Sequence, residues 1–340
     1  AMPLEGKLLG VKDVIRARGY PTGCGTDLPA HLFAGPEAPA VSRLRRAGAL
    51  LVGKTVTAEF ACNAPGPTRN PLNPAHTPGG SSSGSAAGVA AGYFDLALGT
   101  HTVGSVIRPA AYCGVIGFRP TPSRVPAEGV ELYSETIDSV GVFARTLDDL
   151  EATMPWLLDC WGIVADVPGV AAIPEGPYLE LTDASVRDAF ETAIERIHAA
   201  GIGVSRVSAL QDIDDLIHRH SRLTRAELYR NHRARLDEWR TSYRPETLKV
   251  IDSGAGIDDR ELGELRLARQ RTVENHAALM SAMGIDIWMC PATTSLAPVG
   301  LQTTGNPTMN LPWTYLGLPV LTLPRVPAEG GLWQGIQIVG

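Results

Sequence analysis

Short apolar strands alternate with helices over the first third of the chain, and this alternation is the feature that most restricts its fold. Strand candidates lie at residues 7–11, 50–52 and 95–98. Between them, the spacing of small and apolar residues predicts helices at 39–47 and 83–91. The run at 50–52 is wholly apolar, so a buried strand is expected there. This β-α-β order predicts an α/β fold in which helices pack on a sheet.

The second half of the chain predicts more strands and a helical insertion. Its strand candidates are apolar and lie at 170–173, 203–207, 285–289, 320–323 and 335–339. An amphipathic helix is expected at 186–197. The charged, proline-poor stretch at about 209–283 predicts two or three surface helices. We therefore expect one α/β domain over residues 1–340, with a mixed central sheet flanked by helices; any domain boundary would fall within 150–168.

Composition narrows the class of protein. The net charge of −6 on 340 residues is spread along the chain and argues against a nucleic-acid partner. No apolar run is long enough to cross a membrane, and the first residues lack a signal-peptide layout, so a cytoplasmic location is expected. The five cysteines are scattered without a CxxC pair, and no paired histidine motif occurs, so reduced thiols and neither metal nor cofactor are expected. The cysteines are Cys24, Cys62, Cys113, Cys160 and Cys290.

A segment rich in glycine and serine, TPGGSSSGSAAG at residues 77–88, is the most unusual part of the chain. Such a loop ahead of a helix could cradle an anion with backbone N–H groups. It lacks the Lys-Ser/Thr ending of a P-loop, however. A flexible linker is also a poor interpretation, because packed structure is expected to continue through 88–98. The segment is better interpreted as a rigid active-site loop that carries hydroxyl groups.

A second segment, LGTHTVGSVIRPAAYCG at residues 98–114, places Ser105 after a tight turn that directly follows a strand. This arrangement presents a serine oxygen beside several backbone N–H groups, as an oxyanion hole requires. A serine after such a turn is usually structural when it stands alone. Lys12 at a strand end, taken alone, is likewise usually a solvated charge.

Together, the segments around Lys12, Ser81 and Ser105 resemble the amidase signature family, whose members use a Ser–cis-Ser–Lys triad. The family's lysine sits in an apolar strand that ends in Lys-Asp or Lys-Glu, as GVKD does at residues 10–13. Its bridging serine is the first of the pair in a Gly-Gly-Ser-Ser run, here Ser81. Its nucleophile ends a Gly-Thr-x-x-Gly-Gly-Ser run, here Ser105. Val103 stands where the family usually has the first of the two glycines.

The resemblance covers nearly the whole chain, with further matching motifs at 138–141, 304–307 and 318–319. The run SVIRP at 105–109 is similar to malonamidase-type members. The resemblance implies an amidase-signature α/β fold and a cis peptide bond between residues 80 and 81. Relatives carry helices before the lysine strand and after the last strand, and this chain is expected to lack them.

The expected reaction is hydrolysis of a linear, small-molecule amide through an acyl-enzyme on Ser105. A serine hydroxyl needs an adjacent base, and burial would keep the Lys12 amine neutral enough to serve. By resemblance, Ser81 relays protons between them. Lys54 lies in a similar-looking Gly-Lys-Thr run but is interpreted as structural. The expected oxyanion hole consists of the backbone N–H groups of Thr102, Val103, Gly104 and Ser105.

Substrate-binding candidates are Arg108, Ser82 and His101. The malonamidase resemblance implies that the Arg108 guanidinium grips a substrate carboxylate, and a bidentate contact would suit its planar shape. Small carboxylate-bearing amides are therefore the leading substrate class. The alternative is a structural arginine paired with an acid such as Asp138. His101 would either hydrogen-bond within its loop or touch substrate.

Three rival functions remain open at this point. A ureide or biuret-type hydrolase would use the same triad on a different planar amide. A glutaminase subunit of an amidotransferase would depend on partner subunits. A catalytically inert binding protein is the third, because Val103 is expected to narrow the oxyanion turn and the chain is expected to be short at both ends compared with relatives. The expected partner is a small-molecule amide, and a homodimer is left open.

Overall fold

The computed structural model describes residues 2–159, 161–162 and 170–340. Cys160, one of the predicted free thiols, lies outside the described residues, as does part of the segment 150–168 in which any domain boundary would fall. The strands are β1 (Leu8–Lys12), β2 (Leu50–Thr55), β3 (Leu96–His101), β4 (Ile116–Arg119), β5 (Ser139–Ala144), β6 (Ala171–Glu175), β7 (Val204–Ser208), β8 (Ile287–Pro291), β9 (Val320–Pro327) and β10 (Trp333–Val339). The helices are α1 (Pro39–Arg46), α2 (Ser83–Ala90), α3 (Ile107–Cys113), α4 (Leu147–Leu157), α5 (Pro177–Glu180), α6 (Ala184–Ala199), α7 (Ile213–Trp239), α8 (Pro245–Asp252), α9 (Asp259–Met283) and α10 (Leu311–Leu316).

The ten strands of the described residues form one sheet in the order β2-β1-β3-β5-β4-β9-β10-β8-β6-β7. β1 pairs in parallel with β2 and β3, and β6 pairs in parallel with β7 and β8. The pairings in the middle of the sheet are antiparallel. The predicted mixed sheet is therefore confirmed, and the late strands β9 and β10 join its early and late halves.

The strands in the middle of the sheet, such as β3 and β5, are buried on both faces because helices cover each side. Successive side chains of a strand point to opposite faces of the sheet, and the residues of β3 therefore contact the helices on both sides. Leu96 and Leu98 pack in one apolar core with α1 and α4, whereas Ala97 packs in another with α2 and α3. All six residues of β3 are buried as a result. The strand that leads to the predicted nucleophile thus has a rigid position in the molecule.

A strand forms at 50–52 as predicted, but the prediction that this strand is buried is wrong. Residues 50–52 do begin β2, but the side chains of Leu50 and Val52 are 56% and 44% exposed. The reason is the position of β2 at the end of the sheet, where it pairs with β1 alone. A short apolar run carries no information about which strand lies at an edge.

The predicted helical insertion is confirmed, with α7, α8 and α9 all lying within residues 209–283. Glu227 of α7 ties the insertion to the body of the protein: its carboxylate accepts hydrogen bonds from Ser134 Oγ and the Thr136 backbone N–H, and it pairs with Arg266 of α9. These contacts connect the insertion to the loop that precedes β5. In the part of the chain that the structure describes, no helix has both the length and the apolar character needed to cross a membrane.

Candidate active site

Three segments meet at one edge of the sheet. β1 and β3 are parallel neighbours, so the residues that end them, Lys12 and His101, lie at the same edge. α2 packs on both strands, and the loop that enters α2 carries Ser81. The turn that holds Ser105 directly follows β3. The topology therefore brings the three predicted catalytic residues to one place.

Lys12 is fully buried, with 0% of its surface exposed. Its Nζ donates hydrogen bonds to Ser81 Oγ at 2.8 Å and to Thr100 Oγ1 at 2.7 Å. Burial penalises the ammonium form and lowers the pKa of Lys12 to about 7, against the opposing influence of the Asp138 carboxylate. A substantial fraction of the amine is therefore neutral near pH 7 and can accept a proton.

The loop that carries Ser81 is held by its backbone. The Gly80–Ser81 peptide bond is cis, as the family resemblance implies. The Ser81 carbonyl accepts a hydrogen bond from the Ala58 N–H at 3.0 Å, and the N–H of Gly84 donates to the Val56 carbonyl at 2.9 Å. A Cβ on Gly84 would lie 2.3 Å from the Val56 nitrogen, so glycine is required for this close approach. These contacts fix the Ser81 hydroxyl against Lys12.

Ser105 is 8% exposed and lies in the turn just before α3. Its Oγ makes no hydrogen bond within the described part of the chain, so the predicted contact between Ser81 Oγ and Ser105 Oγ is not formed here. Lys12 and Ser81 are thus joined as predicted, whereas the last step of the relay is open. Catalytic hydrogen bonds in unliganded sites are often long and tighten only when substrate binds.

The turn at residues 102–105 keeps its hydrogen-bond donors free. None of its four N–H groups donates to another described group. Val103 was expected to narrow this turn, yet its backbone does not adopt a positive φ and its side chain packs on the apolar core. Gly104 is the position that demands glycine, because a Cβ there would lie 2.4 Å from Asn310 Oδ1. The valine is thus accommodated without distorting the turn.

Arg108 is buried and its guanidinium contacts the loops around the site. Nε donates to the Thr304 carbonyl at 2.7 Å, and Nη2 donates to the Gly80 carbonyl at 2.7 Å and to Thr304 Oγ1 at 3.1 Å. Nη1 is buried without a partner. The alternative pairing with Asp138 does not form among the described residues. The expected bidentate grip is not available either, because only Nη1 retains free hydrogens.

Two of the predicted substrate-binding side chains, His101 and Ser82, make hydrogen bonds within the protein. His101 Nδ1 accepts from the Val106 N–H at 3.1 Å, so Nε2 carries the proton and donates to Thr314 Oγ1 at 2.8 Å. Burial, aided by nearby arginines, lowers the pKa of His101 well below its usual value, which keeps the ring neutral. Ser82 Oγ is fully buried and donates to the Thr100 carbonyl at 3.2 Å. Both side chains organise the loops, so their predicted contact with substrate is not supported.

Lys54 is structural, as expected, because it forms an ion pair with Asp13 at 2.8 Å and donates to Thr22 Oγ1 at 2.9 Å. Asp138 lies near the site as a buried carboxyl that accepts from the Tyr133 N–H at 2.7 Å. Burial raises the pKa of Asp138 to about 6, against the opposing effects of a hydrogen bond from Thr102 and of the nearby Lys12. It supplies negative charge close to the lysine at neutral pH.

Sequence reasoning missed three side chains that shape the site. Thr100 accepts a hydrogen bond from Lys12 Nζ. In the sequence, this residue is marked only by its position in the Gly-Thr run of β3. Asn310 lies against Gly104, and His220 of α7 donates from Nε2 to the Thr102 carbonyl at 3.1 Å. The last two come from distant segments that carry no recognisable motif around them. Within the described residues, no group of three or more His, Cys, Asp or Glu side chains is arranged to hold a metal ion.

The family of the chain is shown by a match over its whole length. The model of the family described as Amidase matches residues 1–340. The chain belongs to the Amidase family. Among curated members, it is 38% identical over 229 residues to one of the subunits of the glutamyl-tRNA(Gln) amidotransferase of Salinibacter ruber. That match covers 61% of this chain and 45% of the Salinibacter protein, so the chain spans about half the length of this relative.

Two solved structures share the fold of this chain. A crystal structure described as an amidase superposes with a TM-score of 0.90 at 32% identity, covering 99% of this chain and 81% of that one. The allophanate hydrolase of Kluyveromyces lactis superposes with a TM-score of 0.85 at 25% identity, covering 100% of this chain and 60% of that one. The predicted amidase-signature fold, a mixed sheet flanked by helices, is confirmed.

Proposed function

We propose that this chain hydrolyses a small-molecule amide C–N bond through an acyl-enzyme on Ser105, with Ser81 relaying protons to Lys12. One observation carries the proposal: the buried Lys12 amine, whose pKa is lowered to about 7, lies 2.8 Å from Ser81 Oγ. Lys12 forms no direct ion pair with a described acid, and a buried lysine in that situation serves poorly as a structural ion. It is well suited to accept a proton through a neighbouring hydroxyl.

The reaction proceeds in two balanced halves. Ser105 Oγ attacks the amide carbon while its proton passes to Ser81 and the proton of Ser81 passes to Lys12. The tetrahedral intermediate collapses, the C–N bond breaks, and the same relay returns a proton to the leaving nitrogen. Water then attacks the ester, giving its proton to the relay and its hydroxyl to the acyl group, and Ser105 is released with its proton restored.

The free N–H groups of the turn at 102–105 would hold the negative oxygen of each tetrahedral intermediate. Backbone donors that are fixed before the reaction need no reorganisation when charge develops, and the loss of one such donor typically costs about 10²–10³-fold in kcat. Their lack of internal partners supports this role, since a buried N–H without a partner is rare in folded proteins.

Small carboxylate-bearing amides remain the proposed substrates. Arg108 supports this choice because it is a buried guanidinium that forms no ion pair with a described acid. Burying an uncompensated cation is costly, and a substrate carboxylate would supply the missing charge. The contact would use Nη1, since Nε and Nη2 already bind the Thr304 and Gly80 loops.

Ammonia release from a panel of amides tests the proposal. Succinamate and butyramide form a matched pair, in which a carboxylate replaces a methyl group at similar length. Wild type should prefer succinamate, and Ser105→Ala should hydrolyse neither. In Arg108→Ala both rates should fall, because the Gly80 and Thr304 loops lose an anchor. The loss should be larger for succinamate, because only succinamate loses the charged contact. The ratio of kcat/KM for succinamate to kcat/KM for butyramide should therefore fall by about 10- to 150-fold. An unchanged ratio would remove the carboxylate from the proposal.

A second candidate is the glutaminase function within an amidotransferase complex, which the match to the Salinibacter ruber protein favours. Glutamine belongs in the same panel for this reason. The second candidate is supported if the isolated chain releases ammonia from no member of the panel. It is supported further if ammonia is released from glutamine once partner subunits are added. Turnover of succinamate by the isolated chain excludes it. Biuret in the panel tests the ureide alternative, which the likeness to an allophanate hydrolase keeps in view.

A further inference from the structure

Two carbonyl groups of the turn at 102–105 are held by side chains from distant helices. His220 Nε2 of α7 donates to the Thr102 carbonyl at 3.1 Å. Thr314 Oγ1 of α10 lies 3.0 Å from the Val103 carbonyl and shares its one hydrogen between this carbonyl and that of Asn310, which lies at 2.9 Å. Thr314 is itself oriented by His101 at 2.8 Å. The turn therefore takes its orientation from outside its own segment.

Peptide geometry links each held carbonyl to the next N–H group. The atoms of a peptide unit are coplanar, and in a trans unit C=O and N–H point in opposite directions. The peptide bonds within the turn are not among the cis bonds of the described chain. Holding the Thr102 carbonyl towards α7 therefore directs the Val103 N–H away from α7. If this peptide unit flipped, the Thr102 carbonyl would take the place of the Val103 N–H. A carbonyl oxygen in that place would repel a negative oxygen.

His220 is suited to hold the turn at neutral pH. It is 1% exposed and lies beside Tyr315, with ring centroids 6.2 Å apart. Burial lowers the pKa of His220 to about 4, so the ring is neutral. A carbonyl only accepts hydrogen bonds, so Nε2 must carry the proton. The neutral ring donates to the Thr102 carbonyl without adding positive charge at the turn.

We infer that His220 is a positioning residue of the active site, which acts from the helical insertion by fixing the Thr102–Val103 peptide so that the Val103 N–H faces the substrate oxygen. The inference rests on the proposed function, because it assigns the N–H groups of the turn to an oxyanion. It gives the insertion a role in the reaction in addition to its contribution to the apolar core.

Two amide substitutions separate this role from simple packing. In His220→Gln, the amide nitrogen can take the place of Nε2 and donate to Thr102. In His220→Asn, the amide reaches only the place of Nδ1 and the carbonyl loses its donor. His218→Asn is the matched control, because His218 lies two residues away on α7 and is exposed. Both test variants keep a polar amide at the position, so a comparison between them does not depend on burying an apolar group.

The measurements are kcat and KM for succinamate and the rate at which a fluorophosphonate labels Ser105, each as a function of pH. For His220→Asn we expect kcat and the labelling rate to fall about 10- to 100-fold at the pH plateau. KM and the pH midpoint should stay unchanged, because Lys12 is untouched. His220→Gln should remain within about threefold of wild type, as should His218→Asn.

Equal rates in His220→Asn and His218→Asn would overturn the inference. Equal losses in the Asn and Gln variants, or a shifted pH midpoint, would overturn it as well, because they indicate general disruption of the fold or of Lys12. If wild type itself is not labelled at Ser105, the proposed function fails. If wild type is labelled and His220→Asn is labelled equally fast, only the role of His220 fails.

Discussion

Lowering the pH below 7 should inactivate the wild-type protein by protonating Lys12. The pKa of this buried amine is lowered to about 7, mainly by desolvation of the ammonium form. In the proposed relay, only the neutral amine can accept the proton that leaves Ser105. The activity should therefore rise with pH through the pKa of Lys12 and level off above it.

The size of the effect follows from the fraction of neutral lysine. With a pKa of about 7, that fraction is about one half at pH 7, about 9% at pH 6 and about 1% at pH 5. The value of kcat/KM should follow this fraction and lose about tenfold per pH unit on the acid side. An exposed lysine would give a midpoint near 10.4 instead.

The assay is kcat/KM for succinamate between pH 5 and 9, together with circular dichroism to verify that the protein stays folded. Asp138→Asn identifies the titrating group, because Asp138 also titrates near this range, with a pKa of about 6. The Asp138 carboxylate raises the pKa of Lys12. Removing its charge should move the acid limb to lower pH while keeping its slope.

Two results would refute this reasoning. If the acid limb disappeared in Asp138→Asn, the limb would belong to the carboxyl group and Lys12 would not be the base. If the wild-type midpoint lay above 9, the amine would be charged at neutral pH and the proposed relay could not start.

Two further pairs of variants test the site. Lys12→Ala should abolish turnover and keep a cooperative thermal transition, whereas Lys54→Ala should stay within a few-fold of wild type because Lys54 binds Asp13 and Thr22 and not the relay; the reverse pattern would mean that the wrong lysine has been chosen. Gly104→Ala should lower kcat about tenfold or more, because its Cβ would lie 2.4 Å from Asn310 Oδ1. Gly53→Ala, with no atom within 4 Å of its Cβ, is the control; similar kcat values in the two would argue against a tightly packed turn.

Much of the fold and the contact between Lys12 and Ser81 could be predicted from the sequence because both depend on local patterns. The alternation of apolar runs predicted the strands and helices, and the glycine-serine runs placed Ser81 and Ser105 through a known family. The contact between Lys12 and Ser81 followed from that resemblance. Such motifs are short, contiguous and chemically unusual, so they remain visible without a structure.

The rest depends on long-range packing, which no local pattern records. Arg108 was expected to have a free guanidinium, yet Thr304, which lies 196 residues away, takes two of its hydrogen bonds. His220 contacts the turn at 102–105 from a position 118 residues away in the sequence. The exposure of β2 depends on which strands flank it in the finished sheet. In each case the decisive partner belongs to another segment, and the sequence around the residue does not name it.

Covalent labelling tests the central claim most directly. The protein is incubated with a fluorophosphonate, digested, and the modified peptide is sequenced by mass spectrometry. The account predicts one phosphonate adduct, located on Ser105 in wild type and Lys54→Ala, strongly slowed in Lys12→Ala and absent in Ser105→Ala. An adduct on another serine, or no adduct in wild-type protein at pH 8, would contradict the assignment of Ser105 as the nucleophile.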